Sequence, residues 1–191
     1  MAEYDDTKIT LSDYLDDNTK LLSIGLNPSP ASVREGVYFA NPRNRFWRAL
    51  NASKILAEPV SVDANVHNRL ADKYRIGFTD VVKRPTPSST QLSASDFKRD
   101  APLLRAKLEQ YEPEWLWFHG KVAFQQFLFY AYHFRGKWQW GWNDIPMLSS
   151  NIFISPNPSS ANAIFSLYDL VTHYDELATR VNKANSSVSN F

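Results

Sequence analysis

Four short apolar runs set the limits on how this chain can fold: 21–24, 76–82, 115–118 and 152–154. Each is too short for a buried helix of ordinary length and right for a buried strand, and the segments between them carry apolar residues at helical spacing. Phe46, Trp47 and Leu50 share one face of a helix expected over 44–53. A second helix is expected over 65–74, a third over 96–111 with Ser95 as its cap and Pro102 as an interruption, and a fourth over 122–132. Ile164, Leu167, Leu170, Tyr174, Leu177 and Val181 step at three and four along a closing amphipathic helix. The Trp-rich stretch 136–142 reads as a loop or hairpin. Strands alternating with helices predict an α/β protein: a single-domain three-layer α/β/α sandwich on a mostly parallel central sheet.

Composition narrows the chemistry. The 191 residues contain no cysteine, which excludes disulfides, thiolate nucleophiles, iron–sulfur clusters and every zinc site built on sulfur. Four scattered histidines, His67, His119, His133 and His173, offer no metal-ligand spacing, so neither metal nor cofactor is expected. No apolar run approaches the 18 residues of a membrane span and the first ten residues are acidic, so a soluble, intracellular, cytoplasmic protein with no membrane partner is expected.

The net charge of +1 divides unevenly. Residues 1–20 carry six acidic and two basic side chains, and the rest of the chain is net +5. This gives an acidic arm over 1–19, a domain over 20–183 and a polar tail over 184–191. The densest basic stretch holds Arg34, Arg43, Arg45 and Arg48 against Glu35 alone, and reads either as a solvated face or as a phosphate-facing patch.

Open parallel sheets bind ligands at the carboxyl ends of their strands. The loops leaving those ends are Gly25-Leu26-Asn27-Pro28-Ser29-Pro30, the segment after Thr79-Asp80, His119-Gly120-Lys121, and Ser155-Pro156-Asn157-Pro158-Ser159-Ser160. Two contain Asn-Pro, which reads as a turn starter or as an asparagine held extended with its amide projecting. A nucleotide phosphate loop, a GxGxxG fingerprint and a GxSxG nucleophile elbow are all absent.

Gly25-Leu26-Asn27-Pro28, Ser32, and Tyr38-Phe39-Ala40-Asn41-Pro42-Arg43-Asn44-Arg45-Phe46-Trp47 together resemble the first motif of the mismatch-specific uracil/thymine-DNA glycosylase family, within the uracil-DNA glycosylase superfamily. The resemblance continues through Gly77-Phe78-Thr79-Asp80-Val81-Val82-Lys83-Arg84-Pro85-Thr86, Gly120-Lys121-Val122-Ala123 and Pro156-Asn157-Pro158-Ser159-Ser160, and spans about residues 20 to 180. It implies the fold of that superfamily and a monofunctional glycosylase that flips a deaminated or mismatched base from DNA and hydrolyses its N-glycosidic bond. The partner implied is double-stranded DNA with a damaged or mismatched base, or single-stranded DNA, met by a monomer.

By the same resemblance Asn27 positions water, Phe39 stacks on the base, and Ser32 lines the pocket, with backbone donors around Leu26 and Phe39. Asp80 departs from the lysine common in the best-known bacterial branch, and is expected to act as general base or to stabilise the cationic sugar. Asn157 is expected to meet a base carbonyl or phosphate. Pro158, Ser159, Ser160, Ala161 and Asn162 are expected to face the DNA, without the large aliphatic plug or arginine of the family. Arg34, Arg45 and Lys83 are candidate phosphate contacts, with plain surface charge as the alternative. For His119, a partly buried structural role competes with a catalytic one. A lesion-binding protein of weak activity, a glycosylase preferring hypoxanthine or etheno adducts, and a nucleoside hydrolase are the competing functions.

Overall fold

The computed structural model describes residues 10–188. The elements are β1 (Leu21–Gly25), α1 (Pro30–Glu35), α2 (Phe46–Ala52), α3 (Val66–Tyr74), β2 (Ile76–Asp80), α4 (Ala94–Tyr111), β3 (Trp115–His119), α5 (Lys121–Tyr132), β4 (Gly141–Asn143), β5 (Asn151–Ser155) and α6 (Leu167–Val188). The sheet runs in the order β2-β1-β3-β5-β4. Its first four strands are parallel, and β4 closes one edge as the antiparallel arm of a hairpin with β5.

The period of two along each strand divides the core into two layers. Leu21, Ile76, Phe78, Trp115, Trp117 and Phe153 pack beneath α2, α3 and α6 on one face. Leu22, Ile24, Leu116, Phe118, Ile152 and Ile154 pack against α4 and α5 on the other. This is the expected α/β/α sandwich with a mostly parallel sheet. No helix among the described residues is long and apolar enough to cross a membrane, and no group of acidic and histidine side chains among them could hold a metal ion.

Several local expectations change. The cap of α4 is Ser93, which forms a capping box with Asp96; Ser95 lies inside the first turn. Pro102 does not break this helix: it and Lys98, whose carbonyl loses its usual helical donor, are both on the exposed face, open to solvent. Helix α1 was not anticipated. It rests on Ser29, whose Oγ accepts the Ser32 N–H at 3.1 Å, on Pro30 at the first helical position, and on Gly36 at φ 65° behind its last turn.

Residues 10–19, expected within an acidic arm, instead pack on the domain. Leu11 is buried, Tyr14 exchanges two backbone hydrogen bonds with Phe78, and Asp13 accepts from Thr79 Oγ1 at 2.7 Å, Lys83 Nζ at 2.7 Å and Lys107 Nζ at 2.5 Å. Of the acidic side chains that marked the arm, Asp13 is the internal counter-charge for two lysines. The rest of that arm, 1–9, lies outside the described residues. At the other end α6 carries helical backbone through Val188, beyond the expected domain end at 183, and the last three residues of the expected tail lie outside the description.

Candidate active site

The strand order reverses direction at β1, between β2 and β3, so the carboxyl ends of these strands form the crevice. The terminal residues there are in register: Asp80 pairs with Gly25, and His119 with Ser155. Asp80, Gly25, His119 and Ser155 therefore make one row on the α2/α6 face, directly beyond the buried row Phe78, Ser23, Trp117 and Phe153. Gly25 is a gap in that row. A Cβ added there would lie 2.2 Å from Asp80 Oδ1 and 3.9 Å from the tip of the Phe39 ring, so the absent side chain makes room for the carboxyl group.

A cavity of about 210 Å³ opens over this row. At about 30 Å³ per water it has space for about seven waters, the scale of one nucleobase. Leu26, Asn27, Ser32, Phe39, Asp80 and Asn157, all expected at the site, line it, together with Ser159, Ser160 and Ala161.

Asn27 is fixed through its nitrogen. Nδ2 donates to Thr86 Oγ1 at 2.8 Å, Arg84 O at 3.1 Å and Pro28 O at 3.2 Å. Thr86 in turn donates from its backbone N–H to Pro28 O, so the two loops lock each other. Both amide hydrogens are thereby committed, and Oδ1 remains as the acceptor group of this pocket-lining side chain.

Phe39 takes a left-handed backbone, φ 58°, a conformation that costs a bulky residue about 1–3 kcal/mol and recurs at functional sites. One face of its ring stacks on Phe46, 4.1 Å between centroids and 23° between planes. The ring is half-buried and lines the cavity. Ser32 is buried and joins the two ends of this first motif: its Oγ lies 3.1 Å from Ser29 Oγ and accepts the Ala40 N–H at 3.3 Å.

Asp80 is 4% exposed, and its Oδ2 has no hydrogen-bond partner among the described residues. Burial pushes its carboxyl up to about 7; the nearby Lys83 opposes this and the Asp13 carboxylate adds to it. At Asp13 burial also acts upward, but Lys83 and Lys107 outweigh it and hold that carboxyl below its ordinary range. Two carboxyl groups near one lysine are thus set apart, one firmly ionised and one poised near neutrality.

Two proposed phosphate contacts are corrected. Lys83 is turned inward onto Asp13, and its backbone carbonyl accepts from Thr10 Oγ1 at 2.5 Å. Arg45 spends its guanidinium on the loop after β5: Nε donates to Pro158 O at 3.3 Å, Nη2 to Ser159 O at 2.9 Å and Asn162 O at 2.8 Å, and Nη1 to Phe165 O. It shapes the loop that was expected to face DNA. Arg34 stays on the surface, paired with Glu35, and borders a second groove on the far side of Phe39 together with Arg48.

Within the loop, Pro158 is buried and is a support, not a contact surface. Asn157 Oδ1 accepts the Ser159 N–H at 2.9 Å, and Asn162 Nδ2 donates to Asn157 O at 3.0 Å. The Cβ of Asn157 lies so near Gly120 that a side chain there would meet it at 3.0 Å, at a backbone φ of 97° that glycine alone adopts freely. The expectation that this loop lacks a large aliphatic group holds for 160–163 but not for the next position, where Ile164 is 87% exposed. Ile164 was expected on the apolar face of the closing helix, but α6 begins at Leu167 and Ile164 stands bare before it. Thr86, which holds Asn27, was missed, although it stands in the quoted second motif.

His119 is 2% exposed and lines the cavity, with Nε2 2.8 Å from Ser23 Oγ and Nδ1 without a hydrogen-bond partner among the described residues. Burial holds the imidazole neutral, down to about 3.

Comparison with known proteins bears on the family and the fold. The model of the Uracil DNA glycosylase superfamily matches residues 12–180. Among solved structures, the chain is similar to a solution NMR structure of a "putative Uracil DNA glycosylase" from Methanosarcina acetivorans, with 21% identity over 92% of this chain and 98% of that chain and a TM-score of 0.62. At that identity the likeness speaks for the fold.

Proposed function

The chain belongs to the uracil DNA glycosylase superfamily, and from that premise we propose that it is a monofunctional DNA repair glycosylase that takes a uracil-type base, deaminated or mismatched, out of DNA and hydrolyses its N-glycosidic bond. The observation that carries this reading is the fixing of Asn27: with Nδ2 committed to Thr86, Arg84 and Pro28, a single acceptor oxygen is left on a rigid pocket wall. An acceptor held in that way aligns water at an anomeric carbon without reorganising during the reaction.

The base leaves the helix, stacks on the free face of Phe39 and enters a cavity of nucleobase size. Extrusion costs a few kcal/mol, least for a mispaired base, and stacking returns about 1–3 kcal/mol. The bond from the base nitrogen to C1′ then breaks with its electron pair going to the base, while water held by Asn27 Oδ1 adds to C1′. The carboxylate of Asp80 takes the proton of that water, or faces the cationic sugar while the departing base anion takes it; by either route the proton ends on the base nitrogen and the hydroxyl on C1′. The product is an abasic site and a free base, with no cofactor. Asn157 and the segment of Ser159, Ser160, Ala161 and Asn162, exposed at Ser160 and Ala161, approach the strand, and Ile164 fills the space that the base has left.

Single-turnover release from duplexes with uracil opposite guanine, and from the matching single strand, tests this. Asn27→Ala is expected to slow release about 100-fold or more. A wild-type protein that frees no base from either DNA refutes the enzyme reading, and one that acts equally on free nucleosides refutes DNA as its substrate.

A further inference from the structure

Among the acidic residues ahead of β1, Asp13 reaches the site. Tyr14 and Phe78 exchange two backbone hydrogen bonds as an antiparallel bridge, which sets Asp13 opposite Thr79, the neighbour of Asp80 on β2. Thr79 Oγ1 donates to Asp13 Oδ1 at 2.7 Å, and Leu11, two residues back, lines the cavity with Tyr38 and Asp80. Lys83 Nζ donates to the same Asp13 oxygen at 2.7 Å and Lys107 Nζ to the other at 2.5 Å. Lys83 is pinned in this position through its backbone, where its N–H donates to Asp100 Oδ2 at 2.8 Å and its carbonyl accepts from Thr10 Oγ1 at 2.5 Å. Tyr38 OH lies 3.4 Å from both Asp13 Oδ1 and Lys83 Nζ, so this largely buried ion pair stands behind the cavity wall, where solvent screens it poorly.

Asp80 takes no part in these bonds, and its Oδ2 has no hydrogen-bond partner among the described residues. His119 from β3 and Tyr38 from the segment before α2 are both kept neutral by burial, so the charges acting on Asp80 are those of Lys83 and Asp13. Behind these two, α4 presents Lys107, bound to Asp13, and Asp100, bound to Arg99 and the Lys83 N–H. A lone ammonium beside a buried carboxyl group draws off its proton, and one already closed onto a carboxylate does so far less. Resting on the base-excision reading of the pocket, we propose that Asp13 is a positioning residue for that reaction: by holding Lys83 on itself it cancels the pull of the ammonium on Asp80, and so sets when Asp80 becomes the carboxylate that serves the reaction.

Carbon NMR of the side-chain carboxyl groups in the DNA-free protein tests this, with Asp80 assigned from its loss in Asp80→Asn. In the wild type Asp80 should titrate at about 7. Asp13→Asn and Lys83→Met break the same ion pair, so a purely structural role predicts the same change in both. The Asp80 midpoint should instead fall by about one unit in Asp13→Asn, where the ammonium stands uncancelled, and rise by less than that in Lys83→Met, where Lys107 still faces the carboxylate. Single-turnover uracil release should follow, the share of its plateau reached at pH 6 growing about fivefold in Asp13→Asn and shrinking in Lys83→Met. Shifts of like sign in the two variants overturn the proposal, and so does a release profile that keeps the wild-type midpoint while Asp80 moves. A wild-type Asp80 that titrates with the exposed carboxyl groups overturns it even if neither variant folds. Absence of release by the wild type, with Asp80 midpoints that move in opposite directions, overturns the base-excision reading and the reaction role that rests on it, and leaves the coupling of the charges standing.

Discussion

Replacing Asp80 by asparagine should make the protein more stable and less active, with both effects growing as pH rises. The carboxyl is held at about 7 against an ordinary value of 3.8, a shift of about three units worth about 4 kcal/mol at 1.36 kcal/mol per unit. The sign follows from where the proton is held. Between pH 4 and 7 the folded protein keeps a proton that the unfolded chain has released, so stability present below pH 4 is lost progressively up to about pH 7 and is then level. Asparagine matches the neutral acid in shape and does not ionise, so the variant escapes this loss.

Thermal melts at pH 5 and pH 8 measure it. The advantage of Asp80→Asn over wild type should widen between the two by about 3 kcal/mol, the first unit of the loss being complete by pH 5, or about 6–12 °C for a chain of this length. Single-turnover base release at the same two pH values should rise through pH 7 in the wild type, as the carboxylate forms, and stay low and flat in the variant. Equal melting differences at both pH values would refute a buried carboxyl near neutrality. Undiminished release by the variant at pH 8 would refute its role as base or charge partner.

Other consequences are as direct. Ile164→Ser should lower release from duplex DNA about tenfold, leave release from single strands unchanged and leave the melting temperature within about 1 °C, because the side chain is 87% exposed and has little packing to lose. Arg45→Met should unpin four loop carbonyls, cost about 2–4 kcal/mol in urea melts and open the 159–165 segment to limited proteolysis; an intact, protease-resistant loop would show that Arg45 is not its anchor. Gly25→Ala should drive Asp80 off its position and remove the rise in rate through pH 7, since the new methyl group would sit 2.2 Å from Oδ1.

The sheet and both core layers could be read from period two in runs such as Trp115-Leu116-Trp117-Phe118, because burial on two faces leaves few other ways to place such residues. The residues gathered at the strand ends could be read for the same reason: a parallel sheet brings Asn27, Asp80 and Asn157 together once the strands are identified. Charge was less legible. Arg45 and Lys83 have the composition of phosphate ligands, but whether a cation meets water, DNA or its own chain depends on residues 113 and 70 positions away, Pro158 and Asp13, which no local pattern reports. Capping erred for a related reason. Ser93 and Ser95 are both competent caps, and the choice rests on Asp96 standing three residues after the first. Leu11 and Tyr14 were hidden among acidic neighbours, where two apolar side chains do not make a periodic signal.

The bonds from Arg45 bear on how lesion and enzyme are brought into register. Arg45 immediately precedes α2, whose first residue, Phe46, supports the ring of Phe39. The same helix end thus holds both the ring that the proposed reading makes the platform for a departing base and the loop that it turns toward the duplex. On that reading, depth of entry into the groove and height of the platform are set by one reference point, like two jaws cut from a single block.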